Sequence, residues 1–261
     1  MNVNATSTMS TESAQYAALP CVLLHGWGFT PQVWQPLLDA LAGANTSGTQ
    51  TREILTPPLP LTGTLEQDMD ELAATLPPQV HLTGWSLGGE VALAYAQRFP
   101  DRVASLTLIS STPCFTQQPG WSCGQPFSLL DDFAQRLADD PAALLKRFGM
   151  LIRHGDADAA KNRTLAETLQ RMAETAQVRL EHGLTLLRSI DLRTTQPVRL
   201  PMPVQLIHGE ADAVVPLAAA ISVAATQHAL CHTLPAASHA LPLTHATLLS
   251  EHLWTFWCNP A

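Results

Sequence analysis

Charge, aromatic residues and long apolar runs are all scarce in this chain. Charged residues make up 14% and aromatic residues 6% of its 261 residues, against 46% hydrophobic residues, so the chain is globular rather than disordered. Its apolar runs fall short of the roughly 18 residues that a membrane span needs. No Lys or Arg precedes Arg52, whereas a secretory signal begins with basic residues. We expect a cytoplasmic protein outside the membrane, with a poorly ordered tail over residues 1–19.

Cysteines and cofactor motifs are equally sparse. The five cysteines are odd in number and form no CxxC pair, so we expect reduced thiols and no zinc site. The sequence has no GxGxxG after the first predicted strand, no GxxxxGK[ST] and no HExxH. Its ten histidines do not cluster at metal-ligand spacing. We therefore expect neither a cofactor nor a metal ion.

Basic residues are few and unevenly distributed. The net charge of −8 argues against nucleic acid as a partner. Ten of the 14 Lys and Arg lie between residues 113 and 195 with ten Asp and Glu, which leaves 4 basic and 12 acidic residues elsewhere. The segment 113–195 is therefore neutral and differs from the rest of the chain.

Outside that segment, short β-rich apolar runs alternate with helical stretches, which is typical of a parallel sheet wrapped by helices. We predict strands at residues 21–25, 53–56, 80–83, 103–110, 204–208 and 230–234. We predict helices at 31–41, 65–76, 87–98, 216–228 and 243–257, with Pro31 and Pro216 in first turns. Residues 20–112 and 196–261 together make this α/β core.

Within residues 113–195 the strand pattern stops and apolar residues recur at helical spacing. A helical block inserted between two strands of a parallel sheet is best explained as a cap over the carboxyl ends of the strands, where ligands of open α/β sheets bind. We predict further cap helices at 161–176 and 178–190. The clearest apolar runs are Leu129, Phe133 and Leu137, and Leu144, Leu145, Phe148 and Leu151.

The strongest chemical motif is the Gly-Trp-Ser-Leu-Gly run at residues 84–88, between an apolar strand and a helix. A GxSxG in that setting is a nucleophile elbow, a turn so sharp that glycine is needed on both sides of the serine. The alternative is a glycine-rich turn with an incidental serine, which the strand, the helix and the additional Gly89 disfavour. We therefore predict Ser86 as a nucleophile.

The loop after the first strand reads His-Gly-Trp-Gly at residues 25–28. Attack on an ester carbonyl produces an oxyanion, which two preorganised backbone N–H groups must stabilise. Leu87, which follows the nucleophile, supplies one, and the loop supplies the other, which we assign to Trp27. His25 lies too early in the chain to be the catalytic base, and we expect it to brace the loop.

Serine needs a base, and the base needs a carboxylate that holds its tautomer. In this kind of fold the acid and then the histidine follow the serine along the chain. Asp212 follows a predicted strand and directly precedes the next helix, and Glu210 is the alternative acid. His239 lies on the loop after the last strand. The competing histidines fall on a strand or a helix, where we expect packing or surface roles: His232, His245 and His252.

With these motifs placed, the chain resembles the pimeloyl-acyl carrier protein methyl ester esterase family of α/β hydrolases. The resemblance runs from about Val22 to Trp257. It implies the α/β-hydrolase fold, a mostly parallel sheet flanked by helices with an inserted helical cap. The motifs that carry it lie at residues 23–28, 84–89, 99–103, 110–115 and 191–193 and in the Asp212 and His239 loops.

The resemblance implies a serine carboxylesterase of biotin synthesis that removes the methyl group from a pimeloyl chain carried by acyl carrier protein, releasing methanol. We expect a monomer apart from that carrier. Trp27, Ser86, Leu87 and His239 would then line the substrate site. The acyl chain would be covered by Phe148, Gly149, Met150, Leu151 and Ile152. The acidic carrier would be gripped by Lys146, Arg147, Arg153, Lys161 and Arg163, unless these form only a solvated helix face.

Three alternatives remain open from the sequence. One is a broad-specificity carboxylesterase for short acyl esters, which would use the same triad without a carrier. Another is the cofactor-free lyase of menaquinone synthesis, which shares the fold and the triad. The third is a ligand receptor without activity, which an intact triad disfavours. The loop at residues 56–63 departs from the family, because it is rich in proline where relatives have glycine and an aspartate.

Overall fold

The computed structural model describes residues 16, 18–44, 52–61, 63–156, 167–168, 177–193 and 199–259. Most of the predicted N-terminal tail and almost all of the predicted helix 161–176 lie outside these residues. The elements are β1 (Cys21–Leu24), α1 (Gln35–Ala44), β2 (Ile54–Leu55), α2 (Leu65–Thr75), β3 (Val80–Trp85), α3 (Leu87–Arg98), β4 (Val103–Ile109), α4 (Phe127–Asp139), α5 (Pro141–Ile152), α6 (Gln177–Ser189), β5 (Val204–Gly209), α7 (Leu217–Gln227), β6 (Leu230–Leu234), α8 (Leu241–Thr244) and α9 (Ala246–Cys258).

The strands form one six-stranded sheet in the order β2-β1-β3-β4-β5-β6, and every described pair is parallel. Strands β1, β3, β4 and β5 are buried along their whole length. Helices cover both faces of such a sheet, which is why these strands are continuous apolar runs rather than alternating ones. The edge strands β2 and β6 are partly exposed. The predicted α/β class and parallel sheet are confirmed.

The register brings the carboxyl ends of the central strands to one edge. Leu24 at the end of β1 pairs with Gly84, and Trp85 at the end of β3 pairs with Ile109. Ile109 in turn pairs with Ile207 on β5. The loops that follow β1, β3, β5 and β6 are therefore neighbours, although they lie far apart in sequence.

Some predicted helix boundaries were wrong. The helix predicted at 31–41 is a 3₁₀ turn (Pro31–Trp34) followed by α1, because Pro36 has no N–H with which to continue one ladder. The helix predicted at 243–257 is split at His245 into α8 and α9. Pro216 is the N-cap of α7, with an extended ψ of 136°, and does not lie in its first turn.

Helices α4, α5 and α6 lie between β4 and β5 in sequence, and α4 packs against both of the others. Leu130, Phe133 and Leu137 form the buried face of α4. Pro141 lies in the first turn of α5, and the Asp140 side chain caps this helix by accepting the N–H of Ala143 at 3.0 Å. No helix in the described part of the chain is long and apolar enough to cross a membrane.

Candidate active site

Ser86 lies in a strained turn between β3 and α3, with φ 56° and ψ −125°. A non-glycine residue with this backbone costs on the order of 1–3 kcal/mol, so its surroundings must hold it there. A Cβ at Gly84 would lie 2.2 Å from the Gly88 carbonyl oxygen, and one at Gly88 would lie 2.3 Å from the Leu24 carbonyl oxygen. These contacts explain why glycine flanks the serine on both sides.

A further contact behind the turn was not predicted from the sequence. Ser111 Oγ donates to the carbonyl oxygen of Ser86 at 2.8 Å. A Cβ at Gly89 would lie 2.3 Å from the same Oγ, so the third glycine makes room for this hydroxyl. In the sequence, Ser111 belongs to the motif at residues 110–115 that resembles the esterase family. Its position in that motif does not indicate a contact with Ser86.

His239 and Asp212, on the loops after β6 and β5, are hydrogen-bonded to each other. Nδ1 of His239 lies 2.8 Å from Oδ2 of Asp212, and both side chains are fully buried. Oδ1 of Asp212 accepts the N–H groups of Val214 and Val215, each at 2.9 Å. Burial acts to raise the pKa of Asp212, but the nearby histidines and these hydrogen bonds outweigh it and hold the pKa below its usual value. Asp212 is therefore a carboxylate at neutral pH.

Sequence reasoning missed His208, which lies at the end of β5 beside this pair. Its Nε2 donates to the Val215 carbonyl oxygen at 2.8 Å and lies 3.5 Å from Oδ2 of Asp212. Burial lowers the pKa of His208, so the ring is neutral and helps to hold the acid loop. The available signal was a histidine on a buried strand four residues before the predicted acid.

Trp85 connects the serine turn to the histidine loop. Its indole Nε1 donates to the carbonyl oxygen of His239 at 2.9 Å, and the two ring centroids are 5.6 Å apart. Nε2 of His239 is buried and has no hydrogen-bond partner among the described residues. This nitrogen is thus free to accept a proton from a nucleophile.

The loop after β1 approaches the serine turn closely. A Cβ at Gly26 would lie 3.2 Å from Cβ of Ser86. Within the described chain, the N–H groups of Trp27 and Leu87 donate no hydrogen bond, and the Leu87 N–H is at the free N-terminus of α3. Two such donors beside a serine are what an oxyanion requires.

His25 has the bracing contacts expected of it. Its Nε2 accepts the N–H of Leu59 at 3.2 Å, and its Nδ1 lies 2.9 Å from the carbonyl oxygen of Gly26. Burial lowers the pKa of His25 to about 4. The ring is therefore neutral and joins the Pro-rich loop at residues 56–63 to the loop that carries Trp27.

Ser86 opens into an apolar pocket between the core and the helices α4, α5 and α6. The enclosed cavity is small, about 20 Å³, and the empty space with its open mouth included is about 400 Å³. Of the five residues predicted to cover an acyl chain, Phe148 and Leu151 line this pocket, whereas Gly149, Met150 and Ile152 are not in its lining. Met150 is 49% exposed on the outer side of α5. The other lining residues are Trp27, Phe115, Leu129, Leu130, Phe133, Leu184, Leu187 and Val214.

The pocket lining that sequence reasoning missed comes mainly from the apolar faces of α4 and α6. Helical periodicity placed Leu129 and Phe133 on one face of a predicted cap helix. It could not show that they face a pocket rather than a closed core. Leu87 and His239, predicted to line the substrate site, are fully buried, and neither side chain is among the residues that line the pocket.

Comparison with known proteins agrees with this geometry. The model of the alpha/beta hydrolase family matches residues 21–251. Pimeloyl-[acyl-carrier protein] methyl ester esterase from Aromatoleum aromaticum is 43% identical over 216 residues, covering 76% of this chain and 82% of the relative. The protein of that name from Xanthomonas axonopodis pv. citri is 37% identical over 243 residues, covering 90% and 93%. The chain belongs to this esterase family. The predicted family and its ester hydrolase activity are confirmed.

Solved structures show the same fold for this esterase. Bromoperoxidase from Bacillus anthracis superposes with a TM-score of 0.77 at 19% identity, covering 92% of the esterase chain and 91% of the other. An enol-lactonase from Burkholderia xenovorans superposes with a TM-score of 0.76 at 18% identity, covering 91% of each chain. At these identities the likeness concerns the fold alone, and it confirms the predicted α/β-hydrolase fold.

The basic residues predicted to grip a carrier are only partly described in this esterase. Lys146 and Arg147 are exposed on α5, and Arg153 is exposed at its C-cap. Arg147 also lies 3.1 Å from Oδ2 of Asp132 on α4. Lys161 and Arg163 lie outside the described residues.

Proposed function

We propose that this esterase hydrolyses the methyl ester of a pimeloyl chain on acyl carrier protein, with Ser86, His239 and Asp212 as its triad. One observation carries the proposal: Ser86 opens into an apolar pocket walled by cap helices, while a buried Asp212–His239 pair lies beside its turn. An apolar pocket of this kind suits a methylene chain better than a polar substrate. The relatives' names supply the acyl group and the carrier.

The roles proposed for these residues give a two-step serine-esterase mechanism. Oγ of Ser86 attacks the ester carbonyl and its proton passes to Nε2 of His239. The N–H groups of Trp27 and Leu87 stabilise the oxyanion. His239 then returns the proton to the leaving methoxide, which departs as methanol. Water, deprotonated by the same histidine, releases the acid from the acyl-enzyme and restores Ser86.

The orientation of the substrate in the site follows from which of its ends carries the reacting ester. The methyl ester is at the end of the pimeloyl chain that is distant from the carrier. When that end is at Ser86, the methylenes must run along the pocket past Phe148 and Leu151, and the carrier must dock outside the cap. Substrate binding therefore needs an apolar channel for the methylenes and a surface outside the cap for the carrier.

A carrier docking surface on α5 fits this direction. The cap holds ten of the 14 basic residues in a chain of net charge −8, so it is the part best able to face an acidic partner. Lys146, Arg147 and Arg153 project from it into solvent. The cytoplasmic location, the monomeric state and the domain boundaries at residues 113 and 195 stay predictions from the sequence.

The test is mass spectrometry of methyl pimeloyl-carrier protein incubated with the enzyme. We expect loss of one CH₂ unit from the acyl chain and release of methanol, and neither with Ser86→Ala. Free methyl pimelate and p-nitrophenyl acetate should be tested in parallel. Hydrolysis of the small esters without demethylation of the carrier-bound chain would contradict the proposal and favour a broad-specificity carboxylesterase.

A further inference from the structure

Cap helix α6 touches the two residues whose N–H groups form the proposed oxyanion hole. The indole Nε1 of Trp27 donates to the carbonyl oxygen of Leu180, in the first half of α6, at 2.9 Å. The bond is buried and joins residues 153 positions apart in the chain. The side chain of Trp27, a proposed oxyanion-hole residue, is thus hydrogen-bonded to the cap.

Gly183, one turn further along α6, makes the closest approach. A Cβ at this position would lie 2.5 Å from Cδ1 of Trp27 and 3.3 Å from Cδ2 of Leu87. Glycine within a helix is less favourable than alanine, because it loses more backbone freedom on folding. Gly183 leaves the space that the side chains of Trp27 and Leu87 occupy, which explains why glycine is present here despite its low helix propensity.

Two more contacts hold α6 against the core near the same loop. Arg179 donates to the carbonyl oxygen of Leu59, and the N–H of Leu59 donates to His25, which starts the loop that carries Trp27. Nε2 of His182 lies 3.2 Å from Oδ2 of the buried Asp68. The loop after β1 is therefore held by α6 both directly and through Leu59.

We propose that α6 positions the oxyanion hole, with Gly183 as the positioning residue. The inference rests on the proposed roles of Trp27 and Leu87. Where α6 lies determines where the Trp27 indole lies, and with it the direction of the backbone N–H beside Ser86. Turnover then depends on a seated cap even for an ester too small to need the acyl pocket.

The experiment is Gly183→Ala assayed with p-nitrophenyl acetate. The added methyl group must displace Trp27 or α6, and losing one oxyanion donor costs about 10²–10³-fold in kcat. A partial displacement should therefore lower kcat on the order of 10- to 100-fold, with KM little changed. Affinity for methylboronic acid, whose tetrahedral serine adduct places an oxygen in the oxyanion hole, should fall by a similar factor. Affinity for acetate, a ground-state product, should not change.

Thr185→Ala is the matched control, because Thr185 is on the exposed side of the same helix. Thr185→Ala should leave kcat and KM for p-nitrophenyl acetate unchanged. Trp27→Phe, which removes the hydrogen bond to Leu180 together with part of the indole packing, should reproduce the fall in kcat and in boronate affinity. Circular dichroism should show no loss of total helix content in Gly183→Ala, since alanine favours helix.

Two results would overturn the inference. One is unchanged kcat on p-nitrophenyl acetate in Gly183→Ala, with or without a loss on longer esters, since α6 would then be only a pocket wall. The other is an equal loss of boronate and acetate affinity, which would indicate general damage to the site. Neither result depends on pimeloyl as the natural acyl group, so failure of the proposed substrate remains distinguishable.

Discussion

Replacing Asp212 by asparagine tests the proposed triad sharply, because the hydrogen bonds around this side chain decide how the amide must point. Oδ1 accepts two backbone N–H groups, from Val214 and Val215. An amide NH₂ cannot face two donors. In Asp212→Asn the oxygen must therefore keep the Oδ1 position, and the NH₂ group must face Nδ1 of His239.

The magnitude follows from the tautomer that this orientation selects. Nδ1 of His239 must accept from the amide, so the ring proton moves to Nε2, and Nε2 can no longer take the proton of Ser86. In other triads a wrong tautomer lowers kcat roughly 10⁴-fold. That is about 5.4 kcal/mol of lost transition-state stabilisation, at about 1.36 kcal/mol per factor of ten. KM should change little, because Asp212 does not line the pocket.

The assay is steady-state hydrolysis of p-nitrophenyl acetate, with a thermal melt to show that the variant is folded. Glu210→Gln is the matched control, since Glu210 is an exposed acid two residues away. It should retain activity within a few-fold of the wild type. A crippled Glu210→Gln beside a nearly normal Asp212→Asn would show that the wrong acid has been assigned.

Three further predictions concern the nucleophile, the cap and the core. Ser86→Ala should lower turnover on the order of 10⁴-fold or more while the melt stays cooperative, and persistent turnover in contaminant-free protein would end the serine mechanism. Reversing Arg147 and Arg153 to Glu should raise KM for the carrier-bound ester roughly tenfold, from exposed contacts of about 0.2–1 kcal/mol each, and more at low salt; an equal loss on p-nitrophenyl acetate would instead indicate a damaged cap. Burial raises the pKa of Glu90 well above its usual range. Above about pH 4.3 the unfolded state therefore releases a proton that the folded state still holds. The free energy of unfolding must then fall as the pH rises from there towards the pKa of Glu90 in the folded state. Glu90→Gln should therefore raise the melting temperature at pH 8 and not at pH 4, and an equal shift at both values would contradict this.

Much of the site was predictable because, in this fold, short local sequence patterns mark the positions of the catalytic residues. A nucleophile elbow needs glycines at fixed offsets from the serine, and Gly84 and Gly88 avoid clashes of 2.2 and 2.3 Å. The acid and the base each follow a buried strand, so an apolar run followed by a polar loop indicates them. Parallel pairing then brings those loops to one edge, which made Asp212 and His239 predictable as neighbours.

The tertiary structure alone decided which side chains meet across the cap. Phe148 and Ile152 lie one helical turn apart and both are buried, yet Phe148 lines the pocket and Ile152 does not. From the sequence alone, Gly183 is only a residue of low helix propensity within a helix. The structure shows that Trp27 packs against it. Periodicity along one segment reports that a face is buried, but the partner of that face is set by how separate segments pack in space, and no local pattern carries that information.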